Sequence, residues 1–266
     1  MIWLKGNKLL EDYMQKILKV FLISTLVSFC SLSYSDNHIP TFGPMEAFGC
    51  NFSENRDMND LMRVVKEWNK YSDTTGTNYS AWVLTPYYFN SSETHDIYWI
   101  GFSSDFEEMG RASEVMLTEE GSKINDKFNS VVPCDEHSLW GTEVIRAPKA
   151  PVGDGYLTIS ECTLSAGATR EAVLAADEQW NAYLDSSDAV GGLYRWYPGS
   201  GVSSTEFTAD FLLASTIDSL QSWGKVAERN VNGGGNMVAV GLYGELMTCT
   251  DQRVYSAKNV RLSTPN

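Results

Sequence analysis

The chain has 266 residues, 43% of them hydrophobic, with 34 acidic against 20 basic side chains and a formal net charge of −14. That length suffices for one or two buried cores, and so acidic a chain repels phosphate backbones, which argues against nucleic acid as a partner. No G-x-S-x-G elbow, phosphate loop, H-E-x-x-H or calcium loop is present.

Residues 1–35 read as a secretory signal. Lys16 and Lys19 precede an apolar run from Val20 to Phe29, and Ser33 and Ser35 flank Tyr34, which places cleavage between Ser35 and Asp36. Met14 is a candidate true start. The apolar run is too short for a membrane span, so an exported, periplasmic or extracellular protein with no membrane attachment after cleavage is expected. The segment carries Lys5, Lys8, Lys16 and Lys19 against Glu11 and Asp12, so its loss leaves a net charge of −16.

The next region, 36–147, opens with a strand over 45–52. A helix over 55–71 follows, with Met58, Leu61, Met62, Val65 and Trp68 at helical spacing. Strands are predicted over 80–88 and 96–102, then a helix over 104–117, a short helical segment near 122–131, and a closing strand over 137–146. Residues 148–154 have the Pro/Gly composition of a connector. In 155–266 a strand over 156–164, a helix over 168–184, strands near 190–198 and 205–214, a helix near 217–229 and a last strand near 252–262 repeat the order. Gly233-Gly234-Gly235 reads as a turn leading to an apolar stretch.

The second region is a copy of the first. Cys50, Ser53, Trp68, Asn69, Tyr71, Asp73 and Pro86 fall without a gap on Cys162, Ser165, Trp180, Asn181, Tyr183, Asp185 and Pro198, an offset of 112. Further on, Glu114 falls on Glu228, and Cys134, Trp140 and Arg146 fall on Cys249, Tyr255 and Arg261, with small drifts that surface loops tolerate. The expected architecture is α+β: two tandem ferredoxin-like βαββαβ repeats forming an intramolecular α/β barrel.

Four cysteines remain after cleavage, two per copy. An even count in an exported chain points to disulfides, and the duplication favours Cys50–Cys134 and Cys162–Cys249. The first and last strands of a ferredoxin-like sheet are antiparallel neighbours, which brings these pairs within bonding reach. No metal site is expected, since no C-x-x-C or histidine cluster accompanies the cysteines.

Element order and duplication together resemble the dimeric α/β-barrel superfamily in tandem form over about residues 45–262. The resemblance implies a cavity between two sheets and a choice among cofactor-free oxygenases, small-molecule lyases and haem enzymes of the chlorite-dismutase type. The haem-binding tandem barrels carry their axial histidine in the C-terminal unit. Here His38, His95 and His137 all precede it, so no cofactor is expected. His38 and His95 read as solvated.

Residues retained in both copies read as structural: the Trp-Asn pairs as packing and helix termination, Arg146 and Arg261 as ion-pairing. Residues that break the symmetry are better site candidates. On the third strands Tyr98 stands opposite Asp210 in the alignment, and Arg195 lies beside Trp196 and Tyr197. If these face the inter-sheet space, Asp210, Arg195, Tyr98 and His137 are candidate catalytic groups, and Tyr98, Trp196 and Tyr197 candidate ligand contacts. The leading expectation is a protein that binds a small apolar or aromatic molecule between its sheets. The alternatives are a cofactor-independent oxygenase or lyase/isomerase, and a non-catalytic envelope structural or interaction protein.

Overall fold

The computed structural model describes residues 42–150 and 153–263; the signal-like segment and Pro151-Val152 lie outside them. Nine strands and six helices alternate in these residues. The first half holds β1 (Gly43–Cys50), α1 (Met58–Thr75), β2 (Tyr79–Tyr88), β3 (Ile97–Ser103), α2 (Phe106–Met116), α3 (Glu119–Val131) and β4 (Cys134–Arg146). The second holds β5 (Gly155–Leu164), α4 (Arg170–Ser186), β6 (Leu193–Pro198), β7 (Phe211–Ile217), α5 (Leu220–Val231), α6 (Gly235–Tyr243), β8 (Met247–Cys249) and β9 (Arg253–Arg261).

Local chemistry sets the helix ends. The Asp57 side chain accepts from the Asn59 and Asp60 N–H groups while Asp60 reaches back to the Asp57 N–H, a capping box that starts α1 at Met58, three residues later than the expected 55. The helix stops at Gly76, whose φ of +64° suits glycine. Asp105, Thr169 and Ser219 cap α2, α4 and α5 in the same way. The apolar stretch after the glycine triplet forms α6. The strand expected near 205–214 begins only at Phe211; the last strand, β9, falls where expected, and the short β8 before it is unexpected.

The strands close into an eight-membered antiparallel barrel in the order β4-β1-β3-β2-β9-β5-β7-β6, with β6 returning to β4. The short β8 adds to β5 beside the barrel. Every barrel strand sends side chains inward: Met45, Leu84, Ile100, Trp140, Leu157, Trp196, Ala214 and Tyr255 form one cluster. The alternate residues face outward and are covered by α1–α3 in the first half and by α4–α6 in the second. Cys50–Cys134 joins β1 to β4, and Cys162–Cys249 joins β5 to β8.

Two seams, β4·β6 and β2·β9, join the halves. Each is clasped by the residues that recur in both copies. Asn181 on α4 donates to the Ile145 carbonyl at 2.9 Å, and Asn69 on α1 donates to the Val260 carbonyl at 2.8 Å. The asparagines therefore do not end their helices, as the sequence suggested; each holds the last strand of the other half.

One end of the barrel is closed. Tyr98 donates to Glu93 Oε1 at 2.6 Å and Tyr255 to Glu93 Oε2 at 2.8 Å, so one carboxylate spans the opening. His95 is buried there, 2.8 Å from Asp135 and 3.3 Å from the Tyr98 hydroxyl, and is not the solvated loop residue its polar neighbours suggested.

Candidate functional site

The helices of the first half sit close to their sheet, as does α4 in the second half, but α5 and α6 do not. The reason lies in two pairs of cross-strand residues. Phe48 and Trp99 are register partners on β1 and β3; the equivalent partners on β5 and β7 are Ser160 and Leu213. Replacing two large aromatic side chains by a serine and a leucine leaves space that a protein interior does not normally leave empty. The α5 helix buries none of its residues, and α6 buries only Gly235. A cleft of about 1000 Å³ results between these helices and the sheet, against about 360 Å³ in the first half.

The cleft walls are mainly apolar, with Leu184, Leu193, Leu213, Val226, Tyr243 and Met247 among them. Its floor carries a buried ionic network. Arg195 is 2% exposed and grips Asp177 with two hydrogen bonds, at 2.9 and 2.6 Å. Asp177 also accepts from Tyr243 at 2.9 Å, and Arg195 reaches Glu143 at 3.3 Å. Glu143 in turn accepts from Tyr197 at 3.0 Å and Arg170 at 2.5 Å. Burial works against the Arg195 charge, but the Asp177 hydrogen bonds and charge outweigh it and raise its pKa. Burial and then the Glu143 charge push the Tyr197 hydroxyl up to about 12. The first half has Val65 and Val83 where Asp177 and Arg195 stand, so the network belongs to one half alone.

At the cleft wall, α5 presents Lys225 and Arg229 one turn apart. Among the described residues neither has a carboxylate within ion-pair distance. Arg229 donates only to Ser187 and Asn230, both at 3.3 Å, and lies 5.9 Å from the Tyr183 ring centre. Burial without a counter-charge lowers its pKa. No histidine lines the cleft, so the residues present do not fit a haem that needs an axial imidazole.

The first-half pocket carries a different constellation. Tyr79 donates to Glu46 Oε1 at 2.6 Å, and His137 Nε2 lies 3.0 Å from Glu46 Oε2, its ring stacked on Phe48. Trp99 donates to the Tyr79 hydroxyl at 3.0 Å. Burial, followed by the Glu46 charge, raises Tyr79 well above the usual phenol range. Tyr79 fits only because Gly101 is bare: a Cβ there would come within 1.7 Å of its hydroxyl.

The structure separates the residues that the sequence grouped. Tyr98 and Trp196 do face the barrel interior. Arg195 and Tyr197 sit on alternate positions of β6 and face the second-half helices instead, and His137 lies on the outer, helix-covered face of β4. Asp210 is exposed just before β7, where it accepts from the Leu164 N–H at 2.7 Å. Its true counterpart is Asp96, which accepts from the Phe52 N–H at 2.9 Å. Cys50 pairs with Ile97 and Cys162 with Phe211, so the offset has grown to 114 by this point and the partner of Tyr98 is Leu212. The same corrected offset exposes the Trp99-to-Leu213 change, the sequence signal for the cleft.

No protein-family model matches the chain, and no curated protein matches it. Solved structures do. A protein provisionally named a chlorite dismutase aligns over 83% of this chain and 96% of its own length, with a TM-score of 0.51 and 12% identity. A protein provisionally named a monooxygenase from Lactobacillus acidophilus aligns over 84% and 95%, at 0.50 and 9%. A mutant form of the chlorite dismutase from Candidatus Nitrospira defluvii aligns over 82% and 92%, at 0.50 and 7%. At such identities the likeness concerns the fold. In architecture the chain resembles the dimeric α/β-barrel superfamily, with the whole barrel drawn from one polypeptide.

Proposed function

We propose that this is an exported small-molecule-binding protein, built from two ferredoxin-like copies (36–147 and 155–266), whose ligand occupies the cleft under α5 and α6. The observation that carries the reading is a large apolar cleft bordered by an arginine and a lysine that have no carboxylate within ion-pair distance among the described residues. Such a site suits an apolar molecule ending in an acid group. Export is supported by the signal-like order of residues 1–35 and by two disulfides, which persist in oxidising compartments. The net negative charge argues against nucleic acid and anionic membranes as partners.

Decanoate, titrated calorimetrically, tests the reading. Saturable binding that weakens about tenfold or more in Arg229→Gln, and less in the exposed Lys225→Gln, is expected. Absence of binding, or affinity indifferent to both changes, would refute it.

One observation favours an enzymatic reading in the first half. The Glu46 carboxylate beside His137 Nε2 orients an imidazole at the edge of an apolar pocket, as a general base requires. A cofactor-independent oxygenase or isomerase of this kind would lose turnover in both His137→Gln and Glu46→Gln with its decanoate affinity unchanged. Asp210 and Arg195 have no part in it.

A further inference from the structure

We propose that the open end of the barrel is a second binding site, for a neutral aromatic molecule carrying one hydrogen-bond acceptor such as a ketone oxygen. A cavity of about 570 Å³ enters the barrel at the end where β4 leads into residues 148–154. Trp82, Leu84, Ile100, Phe102 and Tyr194 supply an apolar, largely aromatic wall. Trp196 and Thr142 belong to its wall, and their polar atoms, Nε1 and Oγ1, are buried without a hydrogen-bond partner among the described residues. Their residues are 3% and 7% exposed and are register partners across β6 and β4, so the two orphans lie on neighbouring strands of one wall.

Buried polar groups without partners are rare in folded proteins because each forfeits its bonds to water. The other indoles of the barrel obey the rule: Trp82 donates to the Gly153 carbonyl at 3.1 Å and Trp140 to Ser138 at 2.8 Å. At the opposite seam the pair equivalent to Thr142 and Trp196 is Leu84 and Ala257, which has no polar side-chain atom to satisfy. Among the barrel-facing seam positions this polar pair therefore stands at one seam only, in the wall of an apolar cavity, while the other unpartnered buried atoms belong to Arg146, Asn181, Arg195 and Arg261. An indole N–H can only donate, so the ligand must accept. The charged residues on the lining are Asp154 and Asp218, with no lysine or arginine. That excludes the acids proposed for the α5–α6 cleft and favours an uncharged molecule. Residues 216–218 border both cavities, but Thr142 and Trp196 border only this one and Arg229 only the other.

The test compares 2-acetonaphthone with 2-ethylnaphthalene, similar shapes with and without the acceptor, by calorimetry and by the indole N–H resonances of nitrogen-15-labelled protein. The ketone is expected to bind about tenfold more tightly, as one good hydrogen bond to a buried orphan implies, and to shift the indole signal that Trp196→Phe removes. Thr142→Val and Trp196→Phe should reduce the ketone to the affinity of the hydrocarbon, and Arg229→Gln should change neither. Equal affinity of the two probes in the unaltered protein overturns the proposal without recourse to any variant. So does failure of both to bind, which would leave the orphan pair to water. Loss of decanoate binding alone would remove the cleft assignment and leave this one standing.

Discussion

Arg146 lies 2.6 Å from Asp185, joining the last strand of the first half to the first helix of the second. Arg261 repeats the contact in the opposite sense, 2.8 Å from Asp73 on α1. Each half thus holds a helix of the other. The residues that recur most clearly along the chain do so because the barrel has two equivalent joins.

These arginines should matter more than their carboxylates. Both guanidiniums are largely buried and also donate to backbone carbonyls, Asn181 and Ala189 in one case and Asn69 in the other. The aspartates are mostly exposed, and exposed ion pairs contribute little. Arg146→Ala and Arg261→Ala are each expected to lower the unfolding free energy by about 1–3 kcal/mol. Asp185→Asn and Asp73→Asn should each cost about 1 kcal/mol or less. Urea titrations of the four variants measure the difference.

The disulfides span 84 and 87 residues. Loops of that length constrain the unfolded chain strongly, by about 4–5 kcal/mol each in the chain-entropy account. Replacing either pair by serine should shift the denaturation midpoint markedly, and by similar amounts for the two pairs. A midpoint unaffected by reductant would contradict this.

The Asp177–Arg195 pair occupies positions that are Val65 and Val83 in the other half. Asp177→Val should cost about 3–5 kcal/mol because it strands a buried guanidinium. Adding Arg195→Val should recover most of that loss, since well-packed apolar residues often replace a buried ion pair without penalty. Thermal and urea unfolding of the single and double variants provide the comparison.

Acid should destabilise the fold through Glu143 among others. Burial opposes its charge, but Arg170, with Tyr197 and Arg195, keeps its pKa below the ordinary 4.5. A depressed folded pKa means the contribution is complete above the unfolded value and disappears as pH falls through the folded one. Asp57 and Asp105, held low chiefly by backbone N–H groups at their helix starts, act in the same direction. Stability measured by urea unfolding should be flat above about pH 5.5 and fall below about pH 4.5. Glu143→Gln should flatten part of that fall.

The α+β class, helices α1–α5 and both disulfides could be read from the chain because apolar spacing and a duplicated cysteine pair each carry a local signal, whereas α6 and β8 could not. The site could not. Arg195 and Trp196 are adjacent in sequence yet face opposite sides of the barrel wall, and strand alternation tells which residues share a face without telling which face is inside. Asp210 was misjudged for a different reason. Two extra loop residues moved the repeat out of step, so an aspartate that repeats the backbone contact of Asp96 looked like a substitution for Tyr98. The cleft arises from what is missing at Ser160 and Leu213, and empty volume leaves no motif.

The duplicated register also bears on chain connectivity. Gly43 at the start of β1 faces Thr142, four residues before the end of β4, and Gly155 at the start of β5 faces Ala257, four residues before the end of β9. The exit of β9 and the entrance of β1 are therefore placed like the ends that residues 148–154 bridge. A rearranged gene that begins at β5, ends at β4 and splices β9 to β1 through a seven-residue connector copied from 148–154 should encode the same barrel.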